Sequence, residues 1–425
     1  MKILVVGGGG REHAIIMKLK ENPQVETVYA VPGNGGIAAD AVCMPEIGAK
    51  DLDRIVAFAK EKAVDFVVVA PDDPLALGCV DRLHEAGIPC FGPDAKAARI
   101  ESSKVFSKNL MKKYGIPTAR YEVFSNPAEA LGYLKEADYP IVIKADGLAL
   151  GKGVLIPTNY EEAEDAVKSI MEDKVFGASG NEVVIEEFLT GPEVSVLAFT
   201  DGTTIAPMVS SMDHKRAGDG DTGLNTGGMG TIAPNPYYTA EVAKTCMEEI
   251  FLPTLAAMRA EGCPFKGCLY FGLMITPGGP KVIEYNCRFG DPETQVVLPL
   301  LKTDLLTIMQ AVENETLADV DVQWSDGAAA CVILASGGYP GSYAKGKEIS
   351  IPELPQDVIC YHAGDKLTDA ALVTNGGRVL GMTATAPTLR QALEKAYAAA
   401  DSVEFEGKYM RRDIGQRALA VLEEK

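Results

Sequence analysis

Residues 1 to about 100 alternate short apolar runs with amphipathic stretches: Ile3 to Val6, Val25 to Tyr29 and Phe66 to Ala70 read as strands, and Arg11 to Lys20, Asp51 to Glu61 and Leu75 to Glu85 as helices. Strands separated by helices run in one direction, so this order dictates an open parallel sheet with helices on its faces. Ligands of such sheets collect at the carboxyl ends of the strands. Three turns lie there: Gly7-Gly8-Gly9-Gly10, Pro32-Gly33-Asn34-Gly35-Gly36 and Pro71-Asp72-Asp73-Pro74.

The first turn, in Val5-Val6-Gly7-Gly8-Gly9-Gly10-Arg11-Glu12-His13-Ala14, aims backbone N–H groups and a helix dipole at an anion. It does not fit a dinucleotide turn. Gly-x-Gly-x-x-Gly started at Gly7 meets Glu12 at its third glycine, and started at Gly8 it meets His13. Ala30-Val31-Pro32-Gly33 after the second strand also lacks the acid that would hold a ribose. A single phosphate beside Arg11 fits better than NAD, which disfavours a hydride-transferring dehydrogenase. Asn34, Gly35 and Asp72 sit on the two neighbouring turns, which suit a sugar and its phosphate, although each alone is an ordinary turn.

Lys104 to Tyr114 reads as a helix, and Ile116-Pro117-Thr118 ends the first unit. The next unit opens a helix with Asn126-Pro127-Ala128-Glu129, a cap and a first-turn proline with a glutamate placed for a capping box. Another helix starts near Thr158, with Glu161 placed for a second box. Strands at Ile141 to Lys144, Val154 to Ile156 and Val183 to Glu186 complete a small α+β unit able to move as a lid. Glu193 to about Trp324 carries apolar runs at Val194 to Phe199, Leu269 to Ile275 and Lys281 to Tyr285, an expected antiparallel sheet, with helices at Thr239 to Glu261 and Gln295 to Asn314. The tail has strands at Ala329 to Ala335, Val358 to His362 and Arg378 to Ala384, and helices near Leu389 to Asp401 and Asp413 to Glu424. It carries no acid/base constellation and is expected chiefly to support the amino-terminal domain. The expected units are 1–103, a linking helix at 104–119, a lid at 120–190, a catalytic unit at 191–325 and a carboxyl-terminal domain at 326–425.

Residues 211–230 hold six glycines and three aspartates beside Lys215-Arg216, with neither a period of two nor of 3.6. Such a segment is expected outside the core, as a loop closing on a polyanionic ligand. Lys144-Ala-Asp-Gly-Leu-Ala-Leu-Gly-Lys-Gly153 is a glycine loop between two apolar strands; Gly147, Gly151 and Gly153 let it close over a triphosphate, with Lys144 and Lys104 as cations. Glu186-Glu187-Phe188-Leu189 ends the next strand and offers backbone groups to an adenine edge, while Glu193 is placed to accept from ribose hydroxyls. In Glu284-Tyr-Asn-Cys-Arg-Phe-Gly-Asp-Pro-Glu293, Glu284 and Asn286 share one strand face and suit Mg²⁺. Arg288 follows at the same parity, placed to stabilise a transferring phosphoryl group. Cys287 points away and reads as packing.

A net charge of −19 argues against a nucleic-acid or anionic-membrane partner, so a phosphorylated substrate must meet a local cluster of positive charge. Nine cysteines without a Cys-x-x-Cys pair and four scattered histidines indicate neither a disulfide framework nor a zinc site. Reduced thiols and the lack of a signal-peptide apolar region or a long apolar span fit a soluble, cytoplasmic protein.

Asp213-His-Lys-Arg216, continuing through Asp219-Gly-Asp-Thr-Gly223 to Asn225-Thr-Gly-Gly-Met-Gly230, together with Arg288-Phe-Gly-Asp-Pro-Glu293, resembles the glycinamide ribonucleotide synthetases (phosphoribosylamine–glycine ligases) of the ATP-grasp family. The likeness runs from Gly7 to the carboxyl-terminal helix. Met212 stands where the family pattern has glutamine, Leu224 where it has proline, and Asp72-Asp73 where it has Glu-Ala. The resemblance implies an α/β and α+β multidomain ATP-grasp fold, with an amino-terminal open parallel α/β domain, a mobile lid domain and a small carboxyl-terminal α+β domain. It implies ligation of glycine to 5-phosphoribosylamine through a glycyl phosphate, giving N1-(5-phosphoribosyl)glycinamide, ADP and phosphate in de novo purine biosynthesis. ATP is then a co-substrate and Mg²⁺ or Mn²⁺ the cofactor. On this resemblance Asp213 pairs with the glycine ammonium and Lys215 holds its carboxylate, while Gly9, Gly10, Arg11 and Glu12, with Asp291, hold the phosphoribosyl end. Residues 120–190 are expected to close over ATP, and the enzyme that supplies the unstable amine is an expected transient partner. A chain of this length leaves no room for fused purine enzymes and looks like the stand-alone form. The rival readings are another ATP-grasp ligase or carboxylase acting on a different carboxylate, such as bicarbonate, and a non-catalytic nucleotide- or phosphoribosyl-sensing module.

Overall fold

Five parallel strands in the order Val42–Cys43, Thr27–Pro32, Lys2–Gly7, Phe66–Val69 and Cys90–Phe91 form the first sheet of the computed structural model, which describes residues 1–148 and 153–423. The central strand Lys2–Gly7 is covered on both faces, as a parallel strand between helices should be. Its two edge strands are only two residues long, too short to leave a periodic signal in the sequence. The single helix expected over 75–85 is two, Asp72–Ala76 and Cys79–Glu85, because Gly78 between them takes a left-handed φ of +89°. A further helix, Ala95–Ser102, capped by Asp94, leads into Lys104–Tyr114.

Residues 121–187 form an antiparallel sheet ordered Tyr121–Phe124, Val183–Glu187, Ile141–Ala145 and Val154–Leu155. Its buried cluster, which includes Ala130, Ile143, Val167 and Ile185, draws only on this unit. Asn126 caps Pro127–Leu134 as expected, accepting from Ala128 N. The second cap lies one residue later than the sequence suggested. Asn159, not Thr158, caps Tyr160–Val167, and Glu162 rather than Glu161 reaches back, accepting from Thr158 N at 2.8 Å. Asn ranks above Thr as an N-cap, and here its Oδ1 accepts from Glu162 N at 3.0 Å.

The central sheet is antiparallel in the order Ile205–Pro207, Glu193–Asp201, Lys266–Thr276 and Gly279–Asn286. Against it pack Ala240–Cys246 and Leu252–Ala260, joined by a π-helical stretch. The helix expected over 295–314 is interrupted. Thr294–Val297 runs into a short 3-10 turn carrying Pro299, and Leu305–Glu313 starts afresh with Asp304 as its cap. Proline supplies no N–H to continue the ladder.

The carboxyl-terminal sheet departs most from expectation. Its order is Met212–Asp213, Gly230–Ala233, Ala328–Ala335, Arg378–Ala386 and Val358–His362, with Leu389–Ser402 against one side. The glycine-rich segment 211–230 therefore begins and ends as buried strands of the carboxyl-terminal sheet, with Met212 at 4% exposure and Ile232 at 0%. Only its middle, the hairpin of Arg216–Gly218 and Thr222–Asn225, is a surface loop. The expectation of a segment wholly outside the core fails at both ends because strands of two and four residues bury themselves by pairing, not by periodicity. Among the described residues no helix is long and apolar enough to cross a membrane.

Candidate active site

A cavity of about 910 Å³ opens between the amino-terminal unit and the 121–187, central and carboxyl-terminal sheets. Its floor is the end of the strand Gly279–Asn286. That strand carries a bulge: Gly272 pairs with Glu284 and Leu273 with Val282, which leaves Ile283 over. The Ile283 carbonyl accepts from Lys144 Nζ at 3.0 Å. Glu284, Asn286 and Arg288 all line the cavity, as their alternation predicts, and Cys287 is buried. Lys215, 3.4 Å from Glu284 Oε1, pulls the Glu284 carboxyl down to about 2 despite its burial, and Lys144 and Lys104 add to the effect. Glu284 is therefore an ionised hard-oxygen donor. The Asn286 amide is best oriented with its nitrogen donating to Glu101 Oε1 at 3.0 Å and Tyr285 O at 3.2 Å, which turns its oxygen away from those acceptors. Arg288 Nη2 donates to Glu101 Oε1 at 2.9 Å, and Arg288 Nε has no partner among the described residues.

Above this edge lie the lysines. Lys144 is buried beside Glu186 Oε1 at 2.9 Å, and Lys108 sits 3.1 Å from Glu186 Oε2. Burial pushes the Lys108 ammonium down to about 8 against the pull of Glu186. Lys104 Nζ donates to Gly147 O at 3.1 Å, and burial lowers its pKa. Gly147, Gly153, Glu186, Glu187, Leu189 and Glu193 all line the cavity; Gly151 lies outside the described residues. The Glu186 carboxylate is occupied by two lysines and the Glu187 carboxylate by Arg120 and Lys281, which leaves backbone rather than these side chains for a base edge.

Asp213 and Lys215 reach the cavity from the carboxyl-terminal sheet. Burial and the neighbouring Glu293 push the Asp213 carboxyl well above the usual range, whereas Glu284 pushes the Lys215 ammonium up. Gly228 makes the approach tight: its φ is +116°, and a Cβ there would stand 2.5 Å from Asp213 Oδ1 and from Pro292 Cδ. The tail also contributes directly, contrary to its expected supporting role. Arg378 lines the cavity and donates to Gly227 O and Asp291 O at 2.7 Å each. Arg411, 1% exposed, donates to Arg216 O, Asp221 Oδ1 and Asp413, and so clasps the 216–225 hairpin.

The amino-terminal turns behave differently. Arg11, Asp72 and Asp291 line the cavity, whereas Gly9, Gly10, Glu12, Asn34 and Gly35 are not among its lining residues. Glu12 is 2% exposed and its carboxylate is occupied inside the turn, accepting from Gly9 N at 2.6 Å and Arg11 Nε at 2.7 Å. Asn34 Nδ2 donates to Gly8 O, His362 O and Ala363 O, and Gly35 packs on Lys366 and Leu367, so this loop joins two domains. Asp291 is held low by Arg378 and Arg11 against burial and accepts from Gln295 Nε2 at 2.8 Å.

Among the described residues, nine lysines and arginines and ten carboxylates line the cavity. The local positive cluster expected from the overall charge is thus present but already neutralised, so a polyanion entering it needs a further cation. Among the described residues no group of three or more His, Cys, Asp or Glu stands ready for a metal. Glu284 and Asn286 supply two oxygens, and a hard cation that keeps its remaining contacts for water and phosphate asks for few more. Sequence reasoning missed Glu101, Lys108 and Arg378. Lys108 was legible, four residues beyond Lys104 on one helix face. Glu101 and Arg378 carried no motif and are brought in by tertiary contacts.

Three family models match the chain: the phosphoribosylglycinamide synthetase N domain at residues 1–101, its ATP-grasp (A) domain at 102–294 and its C domain at 329–417. The chain is 49% identical over 417 residues to the phosphoribosylamine–glycine ligase of Clostridium acetobutylicum, covering 98% of this chain and 100% of that one. It is also 49% identical over 424 residues to the bifunctional purine biosynthetic protein of Pichia angusta, covering 98% of this chain but only 54% of that longer protein. The crystal structure of phosphoribosylamine–glycine ligase from Thermotoga maritima superposes with a TM-score of 0.85 at 40% identity, covering 97% of this chain and 100% of that one. The fold is that of the ATP-grasp enzymes.

Proposed function

The chain belongs to the phosphoribosylglycinamide synthetase family of ATP-grasp enzymes, and from that premise we propose that it joins glycine to 5-phosphoribosylamine, giving N1-(5-phosphoribosyl)glycinamide, ADP and phosphate in purine biosynthesis in the cytoplasm. One observation carries this reading: a single cavity collects side chains from all three matched regions, Arg11 and Asp72 from the first, Glu284 and Arg288 from the second, and Arg378 from the third. A reaction of three substrates needs such a meeting point.

A carboxylate resists attack by an amine, so a glycine oxygen first attacks the γ-phosphorus of ATP and ADP leaves. The amine nitrogen then attacks the carbonyl carbon of glycyl phosphate; phosphate leaves, and the amine gives up a proton. Holding the two partners together removes an entropic barrier of at most ~7–11 kcal/mol. Arg288 serves the transferring phosphoryl group; Lys144 and Lys215 exchange their carboxylate partners, and Lys104 the Gly147 carbonyl, for phosphate or glycine oxygens. Asp213 accepts the glycine ammonium, which restores the ionised form that burial disfavours. Arg11, Asp72 and Asp291 receive the phosphoribosyl end. Glu284 and Asn286 hold Mg²⁺ or Mn²⁺, which supplies charge neutralisation to the phosphates when bound.

We carry forward the division into units at 103, 119, 190 and 325 and the closure of 120–190 over nucleotide. The lid's separate apolar cluster and its polar seam support it: Asp146 accepts from Val105 N, and Glu187 pairs with Lys281. The deciding assay measures ADP release with Mg-ATP, omitting in turn glycine and phosphoribosylamine generated in place from ribose 5-phosphate and ammonia. Dependence on both, with alanine and bicarbonate inactive, is expected. ADP release indifferent to glycine means a different carboxylate.

A further inference from the structure

We infer that Glu101, which belongs to the amino-terminal unit, is a positioning residue that sets both ends of the phosphoryl-transfer edge: it fixes which atom Asn286 offers to a cation and anchors the Arg288 guanidinium through Nη2 beside the site of phosphoryl transfer. The inference rests on the proposed reading of the site and goes beyond it to how the edge is oriented.

Glu101 stands at the end of the helix Ala95–Ser102, 8% exposed, and points at a strand from another domain. Three donors converge on it. Cys287 N donates to Oε2 at 2.8 Å, Arg288 Nη2 to Oε1 at 2.9 Å, and the Asn286 amide nitrogen to Oε1 at 3.0 Å. A buried carboxylate is costly unless its oxygens are filled, and here they are filled by three consecutive residues of one strand end.

The chemistry of the acceptor decides the orientation. Both Glu101 oxygens already accept N–H bonds, from Cys287 and Arg288, so the matching face of Asn286 toward Glu101 is its NH₂. The amide oxygen is thereby left as the atom available to a hard cation, and an inverted amide would offer it hydrogens instead. Arg288 is constrained in the same way. Its Nη2 is taken by Glu101, its Nε is buried without a partner among the described residues, and its Nη1, 3.4 Å from Phe289 O, is the more loosely held nitrogen. Cys287 N pins the backbone between the two. Such outer partners of metal ligands typically govern 10–100-fold in metal affinity or activity.

The test compares wild type with Glu101→Ala and Glu101→Gln by calorimetric ATP binding, in saturating Mg²⁺ and in EDTA, and by turnover. In both variants we expect the Mg²⁺-dependent gain in ATP affinity to shrink about 10-fold, with affinity in EDTA unchanged. Turnover should fall about 10- to 100-fold, with the KM for glycine within threefold of wild type and Glu101→Gln the milder change. Should Glu101→Ala not fold, Glu101→Gln decides alone, since it keeps the volume and one acceptor. A folded Glu101→Gln with wild-type Mg²⁺ dependence and turnover overturns the inference, as does equal loss of affinity with and without Mg²⁺. If wild type releases no ADP with glycine and the amine, the proposed function fails instead; the Mg²⁺-dependent binding comparison still decides Glu101.

Discussion

The two ends of the cavity use their side chains in opposite ways. At the strand end Glu284, Asn286 and Arg288 turn polar atoms into the cavity, and partners behind them fix their orientation. At the amino-terminal end the carboxylate of Glu12 and the amide of Asn34 turn away and are occupied in holding the shape of turns, which leaves backbone and Arg11 to meet a ligand. A residue type can therefore announce chemistry in both places and perform it in only one. Substitutions at the first end should reduce the chemical step, and those at the second should first reduce stability.

The largest contrast is expected from Glu284→Ala, which removes one of two cation oxygens and should lower ADP formation about 10³-fold or more. The fold should survive, because Lys215 retains Glu193 at 3.6 Å and is itself partly exposed. Near-normal turnover at ordinary Mg²⁺ would take Glu284 out of the metal site and erase the distinction between the two ends.

Arg411→Ala comes next and probes a place between the two extremes. Its guanidinium is buried and carries the 216–225 hairpin beside Asp213 and Lys215; its loss removes the cation from Asp413, while Asp221 keeps Arg417 at 3.2 Å. Because both carboxylates are partly exposed, we expect a loss of about 1–3 kcal/mol in urea unfolding together with a rise of about tenfold in the KM for glycine. An unchanged glycine KM in a destabilised protein would mean that the hairpin takes no part in holding glycine.

Asn34→Ala sharpens the amino-terminal half of the comparison. Four hydrogen bonds depend on this amide, three donated from Nδ2 and one accepted from Ile37 N at 2.8 Å. The expected cost is about 1–3 kcal/mol of stability, with the KM for phosphoribosylamine rising less than in Arg11→Ala. The reverse pattern, a raised KM with stability intact, would make Asn34 a ligand contact after all.

What was legible in the sequence follows the same line. Strands with a period, such as Glu193–Asp201, Val358–His362 and Arg378–Ala386, were visible within a residue or two, and so was the face shared by Glu284 and Asn286. Motif residues whose side chains face the cavity were also visible. Three things were not. Strands of two residues, Met212–Asp213 among them, have no period to read, which hid the union of the glycine-rich segment with the carboxyl-terminal sheet. Partners supplied across domains, Glu101 and Arg378, lie 187 residues from Arg288 and 87 from Asp291 and carry no local pattern. Side chains consumed by their own turns, such as Glu12, look the same in sequence as those that face a ligand.

The junction that Asn34 helps to build also carries the smallest predicted effect. His362, beside Asn34 in the junction, has its Nδ1 2.5 Å from Asp365 Oδ2; burial opposes its charge, but Asp365 and Cys360 outweigh that and raise its pKa to about 10. A folded value above the unfolded 6.5 means a contribution fully present below about pH 6.5 and lost as pH rises toward 10. The neighbouring histidine works the other way. His13, whose Nδ1 accepts from His362 N at 2.9 Å, has its pKa lowered by burial, so it withdraws stability as pH falls below 6.5. Lys108, far from the junction and lowered to about 8, adds stability as pH rises from there to 10.5 and offsets part of the His362 loss in the raw curve. The informative quantity is therefore the difference in urea unfolding between wild type and His362→Gln, a neutral side chain that can still bond Asp365. We expect that difference to be on the order of 1 kcal/mol near pH 6.5 and to vanish toward pH 10. A difference that stays constant across the window would show that Asp365 holds His362 as a neutral hydrogen-bond partner, and that the junction between the first and last domains contains no ion pair for pH to break.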